Sequence, residues 1–577
     1  MNKVLSVFLV FLLFNSCTLL RIQEFGHTPK KPGSYPKFTS KDYLTGLLDE
    51  YRAGYDVTFY DLDLHIDPDK YTIGGEVIIC LRAVSRLKNI RFDLHENLHI
   101  ESLKFSGKEI PFVREESAVI ASLEDSLVVG TTYSLIVVYE GKPVIAKNPP
   151  WSGGVVWDRD KNGNPWIGVA CETEGAGIWF PCKDHLSDEP DSVRLRITVP
   201  EGLQVVSIGV LESHVSQPGM ETYTWRTHYP VNIYNITFYT GKFSYFTDTL
   251  ATEEGILNLE YYVMPENLQR AKEHFTQVPE IIRIYSDCFG PYPWLKEGFK
   301  LVEGPFGGME HQTAIAYGSG YKNFPALGGD DMIVHEAAHE WWGNAVSVSD
   351  FCDIWLQEGF ATYSEILYVE RKKGFESSLT YASSYIASMI NNKLPVAGPP
   401  DVNYWDNRDN DVYNKGAMVL HTMRNIINDS LLFFDILQTF YREHAAASHV
   451  TTADFIEIVE RKTGKDWDKF FEAYIYRREV PVLNLCYGKY DSNKNPVNSD
   501  SKNATFIAAR WINVPDGFTM PIEMNCNDSE APAIFEVSTN ATLFSLKNSV
   551  SCNQWICNKR LSYFKTITDK NLLKEIL

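Results

Sequence analysis

The stretch HEAAHEWWGN, from His335 to Asn344, holds the residue types best suited to chemistry. His335 and His339 are four positions apart, so a helix places both imidazoles on one face and aims them at one centre. Two imidazole lone pairs are two of the ligands that zinc takes. Glu336, one residue on, points away from the metal but can reach a water there, which is the place of a general base. Catalytic zinc also needs a third protein ligand and an open position. Glu358, nineteen positions after His339 in WLQEGFATYSE, is the candidate, on a segment that also reads as helix. Glu340 and Glu365 are candidates for orienting a histidine from behind. A bare HExxH can arise by chance, but WWGN and LQEGF joined to it point to a zinc hydrolase holding one ion.

The elements that must position these residues follow from patterning. In DMIVHEAAHEWWG, Asp330 or Asp331 is the N-cap candidate and Gly343 the stop. Upstream, from Tyr55 to about Phe246, the signal is β, and YDLDLHI places Tyr60, Leu62, Leu64 and Ile66 on one face. The stretch NLQRAKEHFTQVPEIIRIYSDCFG carries helical spacing and ends on Gly290, and helices dominate from there to about Arg478. TTADFIEIVERKTG starts on a capping threonine and ends on glycine. From Pro481 the alternation returns. The expected architecture is multidomain α+β. Residues 1–45 form a leader and linker, 46–250 an antiparallel β-domain, 251–480 a mainly helical catalytic domain, and 481–577 a small β-sandwich-like module.

The chain of 577 residues is 44% hydrophobic, ample for packed cores and too high for a disordered chain. A net charge of −20, with no lysine or arginine run, argues against nucleic acid as a partner. The start, MNKVLSVFLVFLLFNSC, has an apolar core from Val4 to Phe14 that suits export and is too short to span a membrane comfortably. A small residue before Cys17 resembles a bacterial lipoprotein cleavage site. The protein is expected either to be anchored by a lipid on Cys17 or to be released by plain signal cleavage into a periplasmic or secreted form. Ten cysteines are present. Cys486, Cys526, Cys552 and Cys557 cluster near the C-terminus and could make two bridges in three ways. Asn-x-Ser/Thr sites stand at Asn235, Asn428, Asn503, Asn527 and Asn540. Oligomeric state is not legible.

HEAAHEWWGN together with WLQEGFATYSE resembles the gluzincin aminopeptidases, the zinc family that includes aminopeptidase N and the leukotriene epoxide hydrolase. GPFGGMEH at 304–311 resembles that family's Gly-x-Met-Glu-Asn exopeptidase motif. DVYNKGAMVL at 411–420 resembles its catalytic-tyrosine segment, and ACETEGAGIWFPCKD at 170–184 the N-domain segment that reaches the active site. The resemblance covers roughly residues 55 to 480. It implies a thermolysin-like catalytic domain and a set of roles. Glu310 would bind the free α-amino group of a peptide, with Glu172 as partner, although Glu174 could serve instead. Tyr413, with Tyr404 as rival, would donate to the oxyanion. Gly307 and Gly308 would leave room for the substrate strand, and Met309 would line the pocket for the first side chain. The implied substrates are peptides with a free N-terminus. Two departures stand out. His311 occupies the asparagine position of the exopeptidase motif, and the chain lacks the long helical C-terminal domain of larger members, which implies a more open site. A thermolysin-type endopeptidase and an epoxide hydrolase on the same scaffold are the alternatives.

Overall fold

The computed structural model describes residue 35, residues 37–569 apart from 404–409, 446–448, 490–504, 527–531 and 547–554, and residues 571, 572 and 576. The leader with Cys17, and Tyr404, Asn503, Asn527 and Cys552, lie outside the described residues. Among the described residues no helix is long and apolar enough to cross a membrane.

The alternation in YDLDLHI builds the middle of an eight-stranded sheet. Strand Tyr55–Asp67 buries Tyr60, Leu62, Leu64 and Ile66, while Asp63 and His65 face solvent. Tyr55 and Val57 are also buried, at the opposite parity, because the register slips between Val57 and Phe59. A β-bulge there inserts one residue and exchanges the faces. From edge to edge the sheet runs through Val210–Gln217, Met220–Thr227, Ser192–Pro200, Tyr55–Asp67, Thr72–Ala83, Thr132–Gly141, Leu98–Phe105 and Lys108–Glu109. It departs from the wholly antiparallel expectation at one seam, where Tyr55–Asp67 pairs in parallel with Ser192–Pro200. Parallel neighbours need a long crossover, and the chain from 68 to 191 supplies it. Alternation is the same for either direction, so it could not reveal this. A second sheet of four strands, Gln204–Ser207, Phe238–Gly241, Pro165–Ala170 and Gly154–Arg159, feeds from Ala170 into the segment that holds Glu172.

The helical region is more broken than its periodicity suggests. The stretch expected as one helix folds as Leu268–His274, a short 3₁₀ turn Phe275–Gln277, and Val278–Phe289. Pro279 sits in the first turn of the last piece, where its missing N–H leaves no bond unmade. Two short strands, Phe299–Glu303 and Ile315–Tyr317, extend the hairpin Ser244–Ala251 and Ile256–Val263 into a four-stranded sheet. Strands of five and three residues are too short for periodicity to register. Trp341, Trp342 and Trp355 are fully buried in the core of this region. Thr451 caps the helix Thr452–Thr463 through a capping box, and Gly464 ends it in the left-handed conformation.

After Pro481 the strands return in two small sheets, four strands around Val482–Lys489 and three around Thr519–Cys526. They dock on the helix Asn414–Ile427. The Tyr563 N–H donates to Thr422 Oγ1 at 2.7 Å, and His421 Nε2 meets the Arg560 carbonyl at 2.8 Å. Cys557 is a free thiol. Asn235, flagged as a glycosylation sequon, is wholly buried, so its amide serves the interior of the protein and not a glycan.

Candidate active site

The first helix of the site, Asp331–Ala338, is anchored by its N-cap, Asp330. One carboxylate oxygen accepts from the backbone of Met332 and Ile333 at 3.1 and 3.3 Å. The other accepts from the Tyr317 and Ser319 hydroxyls at 2.8 and 2.6 Å. The cap thereby ties the helix to strand Ile315–Tyr317, against which Met309 of the GGMEH segment pairs through Ala316. Regular helix ends at Ala338, yet His339 keeps helical angles (φ −63, ψ −21) as C-cap. The two imidazoles therefore still share a face, their Nε2 atoms 3.2 Å apart. Glu358 Oε2 stands 3.5 Å from His335 Nε2 and 3.4 Å from His339 Nε2.

Both histidines are fixed from behind. His335 Nδ1 bonds Glu365 Oε1 at 2.8 Å, and the Tyr381 hydroxyl donates to the other Glu365 oxygen at 2.5 Å. Glu365 follows Glu358 by two turns of the helix Trp355–Lys373, so one face presents both carboxylates. His339 Nδ1 donates to the Trp342 carbonyl at 2.9 Å. With both Nδ1 atoms engaged, both Nε2 lone pairs are left for the centre. Glu340, the other candidate for this duty, orients no histidine. It accepts from the Thr313 N–H, the Tyr292 hydroxyl and the Asn344 amide at 3.1 to 3.2 Å, and so holds the loop that follows GGMEH. Burial pushes its carboxyl up to about 7.

The donor set fits one zinc ion. Two imidazole nitrogens and one carboxylate oxygen lie within 4.8 Å of one another, with an ionised carboxylate among them. Against burial, hydrogen bonds from His335 and His339 hold the Glu358 carboxyl well below the usual carboxylate range. Burial pulls His339 down, but Glu310 and Glu358 raise it to about 9.

Glu336 lies among the same groups. Burial raises its carboxyl to about 8, with His335 opposing and Glu310 adding to the rise. Gly308 packs on it, since a Cβ there would stand 2.0 Å from Glu336 Oε1 and 2.9 Å from Met332 Cγ. At Gly307 the same atom would meet only ordinary contacts. Met309 is buried in the core at 2% exposure. Glu310 is buried too, and burial raises its carboxyl. The Tyr234 hydroxyl donates to Glu310 Oε1 at 3.1 Å, and the Asn344 amide donates to the Glu310 carbonyl at 2.8 Å. Asn235 in turn donates to Asn344 Oδ1 at 2.6 Å. Sequence reasoning missed these three residues. Asn344 carried a signal as the last residue of HEAAHEWWGN, whereas Tyr234 and Asn235 carried none. His311 meets the Tyr239 hydroxyl through Nδ1 at 2.6 Å, and burial pushes it down to about 3, so it is a neutral core residue.

Tyr413 immediately precedes the helix Asn414–Ile427. That helix crosses Trp355–Lys373 at two glycines, where a Cβ on Gly359 would stand 3.0 Å from both Gly416 Cα and the Val412 carbonyl oxygen. Close backbone approach brings Tyr413 beside Glu358. Its ring centre lies 6.2 Å from that of His335, and burial, with the charges of Glu358 and Glu172 adding, raises its hydroxyl well above the ordinary value. Glu172, buried at 8% exposure, acts with Glu310 on both Tyr234 and Tyr413. Its neighbour Glu174 accepts from the Thr173 hydroxyl and packs against Gly153.

Residues 274–474 match the family model described as Peptidase family M1 domain. The chain is 24% identical over 408 residues to a probable aminopeptidase 2 of Sulfurisphaera tokodaii, covering 67% of this chain and 49% of that protein. It is 26% identical over 308 residues to aminopeptidase B of Mus musculus, covering 49% of this chain and 45% of that protein. The chain thus spans about half the length of these curated relatives. Among solved structures it is similar to an M1 zinc metallopeptidase from Deinococcus radiodurans, in a mutant form bound to a Tyr-Ser-Ala substrate. That likeness has a TM-score of 0.63 at 23% identity and covers 74% of this chain and 95% of the other. Model, relatives and fold point the same way: residues 274–474 match the peptidase family M1 domain, and the fold resembles that of a solved M1 zinc metallopeptidase.

Proposed function

We propose that this protein is a zinc-dependent aminopeptidase that hydrolyses the first peptide bond of peptides with a free N-terminus. One observation carries the choice of an end over the middle. Donor atoms of Glu310, Glu336 and His339 lie within 4.8 Å of one another. One residue of extended chain spans about 3.5 Å. An ammonium held by Glu310 therefore leaves room for a single residue before the base and the metal ligands. Glu172, whose charge with that of Glu310 reaches both Tyr234 and Tyr413, would share that ammonium. An endopeptidase needs the cleft free in both directions, and these carboxylates close one of them.

In this reading His335, His339 and Glu358 hold one zinc ion, which supplies Lewis acidity toward a carbonyl and toward water. Glu336 takes a proton from the attacking water and passes it to the leaving amine as the C–N bond breaks. The Tyr413 hydroxyl donates to the carbonyl oxygen as it gains charge, a bond absent from the ground state and so selective for the transition state. Asn344 and Tyr234 hold Glu310 from the carbonyl and carboxylate ends, which sets the register of the substrate. The layout that goes with this reading is a β-domain over 46–250, a thermolysin-like catalytic domain over 251–480 and a β-sandwich-like module over 481–577. The leader MNKVLSVFLVFLLFNSC supports export, with lipid on Cys17 or simple cleavage, and labelling of wild type and Cys17→Ala with a fatty-acid probe separates the two.

The deciding experiment compares a free peptide with its N-acetylated form, with and without a zinc chelator. The free form is expected to be cleaved at least a hundredfold faster, as a rough figure for losing a buried charge partner, with zinc required. Equal rates on the two peptides would sink the exopeptidase reading, and activity that survives chelation would overturn the metal.

A further inference from the structure

Between Val144 and Val155 the N-terminal region sends out a hairpin. The Lys147 and Asn148 N–H groups donate to the Ser152 carbonyl, and the Ser152 N–H donates back to Asn148. Pro149, Pro150 and Trp151 form its tip. It lies beside the two segments that carry Glu310 and Glu172, at Gly307 and at Glu174. A Cβ on Gly307 would stand 3.7 Å from the Pro150 ring, and one on Gly153 would stand 2.6 Å from Glu174 Oε2. Trp151 is 61% exposed, and among the tryptophans whose side chains are described it alone is exposed. An indole left in water beside a cleft is costly to leave uncovered and well suited to covering by a ligand.

The direction of the substrate follows from the same residues. Glu310 marks the amine end, Gly308 lies against Glu336 where the bond is cut, and Gly307 leads to Pro150. A peptide laid beside this segment runs antiparallel to it, from Glu310 toward the hairpin. Three residues of extended chain cover about 10 Å, so the third or fourth residue of the peptide arrives at the tip. Resting on the aminopeptidase reading above, we propose that Trp151 is a specificity residue that binds peptide residues beyond the cleaved bond, so that the enzyme prefers peptides of four or more residues, with an apolar side chain at the third or fourth position.

The test measures kcat/KM of wild type, Trp151→Ala and Trp151→Phe on an aminoacyl anilide and on a free hexapeptide with leucine at its third and fourth positions. The hexapeptide-to-anilide ratio should fall about five- to tenfold in Trp151→Ala, the scale of one aromatic contact, mainly through KM, and Trp151→Phe should restore most of it. A second measurement needs no turnover. In fluorotryptophan-labelled Glu336→Ala protein, the fluorine resonance absent from the Trp151→Phe spectrum should shift on adding the hexapeptide and stay in place on adding a dipeptide. An unchanged ratio and an unmoved resonance, with wild type active on the free peptide, overturn the role of Trp151 and leave the aminopeptidase standing. Wild type that cleaves free and acetylated hexapeptide equally overturns the aminopeptidase reading itself.

Discussion

The crossing of Gly359 and Gly416 gives the sharpest test of how the site is assembled. In Gly359→Ala the new Cβ would sit 3.0 Å from Gly416 Cα, 3.0 Å from the Val412 carbonyl oxygen and 3.1 Å from the Gly416 carbonyl carbon. All three are backbone atoms, so no side chain can swing aside. Reaching ordinary contact requires the two helices to part by about half an ångström. Alanine gains about 1 kcal/mol of helix propensity, while forced overpacking costs about 1–3 kcal/mol. Overpacking wins or breaks even, so the melting temperature should fall by a few degrees at most. The larger effect falls on chemistry. Tyr413 rides on one helix and Glu358 on the other, and parting them moves the hydroxyl off its mark. Misplacement by up to an ångström costs about a hundredfold, so kcat should drop about ten- to a hundredfold. Zinc content, measured by mass spectrometry, should stay near one equivalent. In a cycle with Tyr413→Phe the two losses should fail to multiply, because both act through one hydroxyl. Wild-type kcat in Gly359→Ala, or losses that multiply in the double variant, would refute the argument.

Two other outcomes follow from the surroundings of the ligands and of the exopeptidase strand. Glu365→Gln keeps the shape but removes the charge behind His335, so zinc affinity measured by chelator competition should weaken about ten- to a hundredfold, with activity recovered at saturating zinc; unchanged affinity would show that Glu365 does not tune the ligand. His311 is pushed down to about 3 by burial, whereas in the unfolded chain it titrates near its ordinary value. The unfolded chain then binds a proton that the fold refuses as pH falls from about 6.5 toward 3, so stability should drop by about 1.4 kcal/mol per pH unit from this residue. In His311→Asn that slope should lessen by about one proton's worth, read from urea unfolding at several pH values, and an identical slope would place the titration elsewhere.

The HExxH spacing, an N-cap at Asp330 or Asp331, Glu358 as the candidate third ligand and the β alternation around Leu62 were all legible from the chain alone. Each depends on neighbours a few residues apart, where helix and strand periods fix which side chains share a face. Resemblance to a known motif then extended the reading to Glu310, Glu172 and Tyr413, whose placement no local period could supply. What the chain alone left open was partner choice. Glu340 beside His339 and Glu365 after Glu358 were equal candidates, and only the packing of Trp355–Lys373 on Asp331–Ala338 turned Glu365 to His335 and sent Glu340 to Thr313. Asn235 stood in the sequence only as an Asn-x-Thr site and became a link of the clamp on Glu310 through Asn344, more than a hundred positions away. Gly359 and Gly416 carried no sign of each other until two helices met at them. Contacts between residues so far apart are set by how whole elements stack, and no short window of sequence contains that information.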